Sequence, residues 1–224
     1  MPGFVENWRS AWRIRAFKDQ FLVSCAGLVV ALILMRVFLD YVETRSGIVL
    51  HDPFLSLFSP ADFRWVTYSL FYSGMLLGIV SLCLYPYSFL LAMRAFVVVI
   101  LLRIACLFLL PLDPPAGSIP LVDPLIQLPG VHPVITRDLF FSWHTASLTL
   151  LVFTARWKDM KIIFTCAAVA VSVFLLLQHA QYTIDVVAAP CFAYVAYGIA
   201  RWRTVEKMPP LPGSGHADKP KDLR

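Results

Sequence analysis

The sequence predicts an all-α integral membrane protein built as a bundle of six membrane-crossing helices. Three observations carry this. Apolar residues make up 59% of the 224 residues, charged residues only 15%, and the mean hydropathy is +0.73. Six apolar stretches follow one another at 20–40, 65–84, 89–110, 139–155, 162–178 and 183–200, each close to the ~20 residues that a bilayer crossing requires. Prolines and charged residues collect between them. A chain of this length holds one such bundle and no second folded domain. The expected organisation is therefore an interfacial segment over 1–18, a six-span body over 19–201 and a disordered tail over 202–224.

In chain order, residues 1–18 interleave Phe4, Val5, Trp8, Trp12 and Ile14 with arginines, the pattern of an amphipathic helix lying in the membrane surface. Leu22-Val23-Ser24-Cys25 looks like a lipoprotein processing site, but its apolar run follows the cysteine. A cleavable signal has the reverse order, so the first span is read as an uncleaved anchor. The loop from Gly47 to Phe63 carries Asp52-Pro53 and Ser59-Pro60-Ala61-Asp62, residues that favour tight turns. The third span contains Arg94, near one interface, and Arg103, too deep to reach water easily. A buried guanidinium must face the bundle and pair, either with a bound phosphate or with a carboxylate such as Asp138 or Asp185. Residues 111–137 form a long proline-rich loop, read as a partly rigid lid. All five cysteines fall in apolar runs, with no disulfide framework and no metal-ligand spacing. The tail after span six is polar and proline-rich, hence disordered.

Thirteen of the 19 Lys and Arg residues lie in the N-terminal segment, the link between spans four and five, and the tail. The loops on the other side hold only Arg45, Arg64 and Arg137. Basic residues stay in the cytoplasm, so both termini are expected there. The net charge of +5 is mostly this juxtamembrane excess, which suits anionic headgroups rather than nucleic acid.

Two stretches on the non-cytoplasmic side carry chemistry: Asp138-Leu-Phe-Phe-Ser142-Trp143-His144-Thr145, opening span four, and Gln181-Tyr182-Thr183-Ile184-Asp185-Val186, opening span six. Together they resemble the active-site motifs D-x-x-x-S-G-H-T and H-Y-T-x-D-V of the lipid phosphatase and phosphotransferase superfamily, in its sphingomyelin-synthase-like branch. The resemblance covers about residues 45–200. It implies a six-span fold, a phospholipid substrate and a phosphohistidine mechanism with no metal or other cofactor. His144 then corresponds to the general acid, Asp185 to the carboxylate that orients the nucleophile, and Gln181 to the nucleophile itself. Arg103, Asp138, Ser142, Trp143 and Tyr182 fall where the headgroup is bound.

The chain departs from the motif twice. Gln181 stands where the family has its nucleophilic histidine, and an amide cannot form the covalent intermediate. Trp143 replaces a glycine that lets backbone N–H groups approach the phosphate; its ring either points to lipid or fills part of the headgroup pocket. His179 can substitute only if 178–182 is a loop, since on a helix it faces away from 181. The sequence therefore implies a lipid phosphotransferase or phosphatase with an impaired site, or a non-catalytic relative that binds a lipid or partner. A small transporter is disfavoured, because the polar residues cluster at one face instead of mid-membrane. His144, Gln181 and Asp185 are expected to converge within about 8 Å, the span a phosphate or water can bridge.

Overall fold

The computed structural model describes residues 4–121 and 135–205, and within them the chain is all-helical. The helices are α1 (Phe4–Arg13), α2 (Arg15–Thr44), α3 (Arg64–Cys83), α4 (Pro86–Leu109), α5 (Trp143–Thr154), α6 (Lys158–Leu177) and α7 (Thr183–Val205). Five of them, α2, α3, α4, α6 and α7, are long and apolar enough to cross a membrane. The expected lid is described only in its two arms, since 122–134 lie outside the described residues, as do 206–224, most of the expected tail.

The fourth expected span, 139–155, differs most. Its helix starts only at Trp143 and has 12 residues, about 18 Å at 1.5 Å per residue, well short of the ~30 Å hydrocarbon core. The cause is local. Ser142 accepts a hydrogen bond from the Thr145 backbone N–H at 3.3 Å and so caps the helix. The preceding residues are extended, with Phe140 at φ +90°. The short α5 is the centre of the bundle, packed by α3, α4, α6 and α7. Its buried residues lie on every side of the helix, as such a position requires.

Close packing around α5 depends on small residues. Ala189, Ala193, Ala196 and Ala200 are buried on α7, and Ala189, Ala196 and Ala200 pack with Leu91, Ala95 and Val99 of α4. On α3, Gly74 and Gly78 repeat the small-xxx-small spacing that lets helices approach in a bilayer. A Cβ on Gly74 would meet Leu148 at 2.8 Å, and one on Gly78 would meet Leu151 at 2.6 Å. Gly78→Val should therefore overpack the α3–α5 seam and destabilise the protein by about 1–3 kcal/mol. Thermal unfolding in detergent measures it, with the exposed Leu76→Val as control.

The N-terminal segment divides earlier than its composition indicates. α1 ends at Arg13, and Arg15 already begins α2. α1 also docks on the bundle: the Trp8 indole N–H donates to the Cys83 carbonyl at 2.7 Å, and its ring meets Phe17, Phe21 and Phe89 edge-on. Helix α1, the α3–α4 turn and the α5–α6 link share one end of the bundle, where Arg156 lies over the Tyr85 ring. The two motif stretches occupy the opposite end.

Candidate functional site

At that opposite end, five of the eight sequence-predicted site residues line one cavity of about 120 Å³: Arg103, Asp138, Trp143, His144 and Gln181. They come from four places in the chain. Arg103 is on α4, Asp138 in the extended lead into α5, Trp143 and His144 in the first turn of α5, and Gln181 in the α6–α7 turn. Leu39, Tyr68, Ser118, Leu121 and Thr136 close the walls. The level of this cavity is fixed by its lining. Leu39 lies five residues before the end of α2, Tyr68 four after the start of α3, and Arg103 six before the end of α4. At 1.5 Å per residue the site sits about 6–9 Å below those helix ends.

Arg103 chooses the carboxylate. It is 2% exposed and forms an ion pair with Asp138 at 2.5 Å. It also donates to the Phe141 and Asp138 carbonyls and stacks over the Phe141 ring. A buried guanidinium with these partners holds the 138–141 segment in place and presents only its edge to the cavity. His144 is seated between Phe71 (ring centroids 4.6 Å, edge-on) and Tyr68 (5.8 Å) of α3. The Tyr68 hydroxyl in turn donates to the Leu121 carbonyl of the lid arm. Trp143 turns inward, its ring edge-on to Phe96. Gln181 donates from Nε2 to the Asp138 carbonyl at 3.1 Å, while its Oε1 is buried without a hydrogen-bond partner.

Asp185, Ser142 and Tyr182 stand behind the cavity wall. Asp185 is fully buried, and its carboxylate accepts the backbone N–H of Tyr182 at 2.9 Å and of Phe140 at 3.1 Å. Its own carbonyl accepts the Ser142 N–H. Asp185 thus clasps the start of α7 to the lead into α5, and it supports the left-handed φ of Phe140, a costly conformation for an aromatic residue. Because α7 begins at Thr183, residues 181 and 185 are not joined by one helical turn. The Tyr182 hydroxyl donates to the Asp113 carbonyl and accepts from the Leu50 N–H, bolting two loops together. Residues 178–182 do form a turn, but His179 is used elsewhere. At φ +51°, its ring packs edge-on to Phe58 and lines a second pocket with His51 and Asp52.

Asp52 both caps a turn and caps α7. Its carboxylate accepts from the Thr183 backbone N–H at 2.7 Å and hydroxyl at 3.1 Å, and from the Phe54 and Leu55 amides. Partial burial pushes its pKa up, but these hydrogen bonds outweigh it, led by Thr183, and hold it below the usual 3.8. A carboxyl with a lowered folded-state pKa stabilises the fold above pH 3.8 and loses that contribution as pH falls through the folded value. Asp52→Ala should flatten the acid limb of the stability profile below pH 4 and cost about 1 kcal/mol at neutral pH, the usual size for a lost cap. Thermal unfolding across pH reads both.

Three supports were outside the sequence reading. Glu43, at the end of α2, accepts the Thr136 and Arg137 amides at 2.6 and 2.7 Å. Asp113 pairs with Arg137 at 2.6 Å. Gln178, fully buried, donates to the Thr67 hydroxyl and receives Ile119 of the lid arm on its carbonyl. Each ends a helix or lies in a loop, where periodicity says nothing; only polarity in an apolar context marked them. Among the described residues no His, Cys, Asp and Glu cluster could hold a metal. No protein-family model and no curated protein matches the chain.

Proposed function

We propose that this is a six-crossing membrane protein of the lipid phosphotransferase and phosphatase type, which binds the phosphate of a phospholipid headgroup and transfers it slowly or not at all. The observation that carries the reading is the convergence of His144, Gln181, Arg103 and Asp138 on one cavity at one end of an apolar bundle. A phosphate there meets the imidazole of His144, suited to protonating a leaving alcohol, and the edge of the Arg103 guanidinium. What position 181 does not offer is the histidine nucleophile of the motif, since its side chain is an amide. In this reading α5, capped by Ser142, makes the fourth crossing jointly with its extended lead.

The charge distribution supports cytoplasmic termini and a site opening to the non-cytoplasmic side. Single-cysteine probes at 118 and 214, in a chain cleared of its own cysteines, should react with an impermeant reagent from opposite sides of the membrane. Reaction of both from one side would reverse the assignment.

The functional test presents the purified protein with a panel of phospholipids in vesicles and measures headgroup release and transfer. Saturable binding that His144→Ala abolishes, with turnover near background, is the expected result. Brisk turnover that Gln181→Ala leaves unchanged would defeat the assignment of position 181.

A further inference from the structure

Helix α6 ends in a turn that holds more than the helix. The Ala180 N–H donates to the Leu175 carbonyl at 3.0 Å and the His179 N–H to the Leu176 carbonyl at 2.9 Å, the paired Schellman closure that puts the residue after the cap in the left-handed region. Glycine or asparagine ordinarily takes that place; here it is His179, at φ +51°. The turn grips the arm of residues 113–121 at two points. The Ile119 N–H donates to the Gln178 carbonyl at 3.1 Å, and His179 Nδ1 lies 3.3 Å from the Ala116 carbonyl. Ser118, Pro120 and Leu121 of this arm line the polar cavity, so the turn fixes part of the cavity wall. A carbonyl oxygen only accepts, so Nδ1 carries the ring proton and Nε2 of the neutral ring is a bare lone pair. That Nε2 is buried and has no hydrogen-bond partner.

We infer that His179 is a proton-sensitive clasp, which holds the arm over the cavity while its ring is neutral and lets it go when the ring is protonated. A proton on Nε2 creates a buried, charged N–H without an acceptor, which is costly enough to expel the ring into water. Leaving breaks the bond to Ala116, and Ile119, three residues on, loses its neighbouring support on Gln178. The charged and titratable groups around the ring give Nε2 no acceptor. From the loop after α2, Asp52 spends its carboxylate on Thr183, Phe54 and Leu55, Asp62 pairs with Arg64, and His51 lines the same pocket as His179. From the arm, Asp113 pairs with Arg137. From the turn and α7, the Tyr182 hydroxyl donates to the Asp113 carbonyl, and Asp185 holds the Tyr182 and Phe140 amides. The negative end of α6 favours a positive ring both seated and released, so it does not choose between them. Because it depends only on where the arm lies, the clasp holds whatever the cavity binds, and a failed headgroup assay leaves it standing.

The test follows amide hydrogen exchange in the full detergent-solubilised chain at about pH 7.5 and about pH 5.5, which bracket the titration of histidine. Each rate is divided by the chemical exchange rate at its own pH. Linkage lets the opening equilibrium rise by up to about tenfold per pH unit. Protection of the Ile119 amide should therefore fall by about tenfold at the lower pH, while that of Val171, in the core of α6, holds. Asp52 keeps its charge throughout, since its carboxyl is held below 3.8. His179→Asn suits the left-handed turn, and His179→Phe keeps a ring against Phe58. Each should make Ile119 protection independent of pH, and His51→Asn should leave the wild-type response in place. No change at Ile119, or an equal loss at Val171, overturns the inference. So does a response that survives both His179 variants, or one that disappears in His51→Asn.

Discussion

Gln181→His should turn the cavity from a binding site into a reactive one, with headgroup transfer or release rising by at least about two to four powers of ten, the range spanned by a positioned nucleophile and its acid–base partner. The new imidazole would enter the cavity that His144 already lines. His144→Ala in that background should remove the gain, because no other described imidazole lines this cavity; His179 faces a different pocket. The structure adds a condition. The Asp185 carboxylate is already holding two backbone amides, so it can orient a histidine at 181 only through a remaining lone pair. Trp143 also occupies part of the space that glycine leaves open in the family motif, so Gln181→His with Trp143→Gly should be faster than Gln181→His alone. Initial rates on the phospholipid panel measure the series. Equal rates for Gln181→His and Gln181→Ala would show that position 181 is not where phosphorus is attacked.

The second large effect is structural. Asp185→Ala should unfold or severely loosen the cavity end, costing about 3 kcal/mol or more, since each buried amide left without an acceptor costs about 1–3 kcal/mol. Both orphaned groups are critical: Tyr182 N–H starts α7, and Phe140 N–H fixes the left-handed residue that lets Ser142 cap α5. Asp185→Asn keeps one acceptor and should fall between wild type and alanine. Thermal unfolding in detergent, with binding of phosphate as a second readout, distinguishes this from a role in chemistry alone. A purely orienting carboxylate would leave stability untouched.

The pairing of the two motif stretches was legible because each joins a rare polar cluster to an apolar run, and such residues in a membrane need one another. Arg103 was legible for the same reason, although sequence alone does not separate Asp138 from Asp185 as its partner. The length of α5 was not. Hydropathy counts Leu139, Phe140 and Phe141 as spanning residues, whereas Asp185, more than 40 residues later, takes the Phe140 N–H out of any helix. The start of α7 at Thr183, between positions 181 and 185, is equally invisible in the apolar pattern. Tyr182 matched a motif position yet bolts loops together, because its hydroxyl partners, Asp113 and Leu50, lie far away in sequence.

The site's position one to two turns below the ends of α2, α3 and α4 has a consequence for what reacts there. At that depth the effective dielectric constant falls, and the attraction between a phosphate and the fixed dipoles around it strengthens in proportion. Bulk water must come down past the rim, whereas a lipid alcohol embedded among apolar chains starts closer to the level of the cavity. In the Gln181→His protein, the ratio of transfer to hydrolysis is therefore governed by geometry as much as by the reacting groups, and it should favour the lipid acceptor.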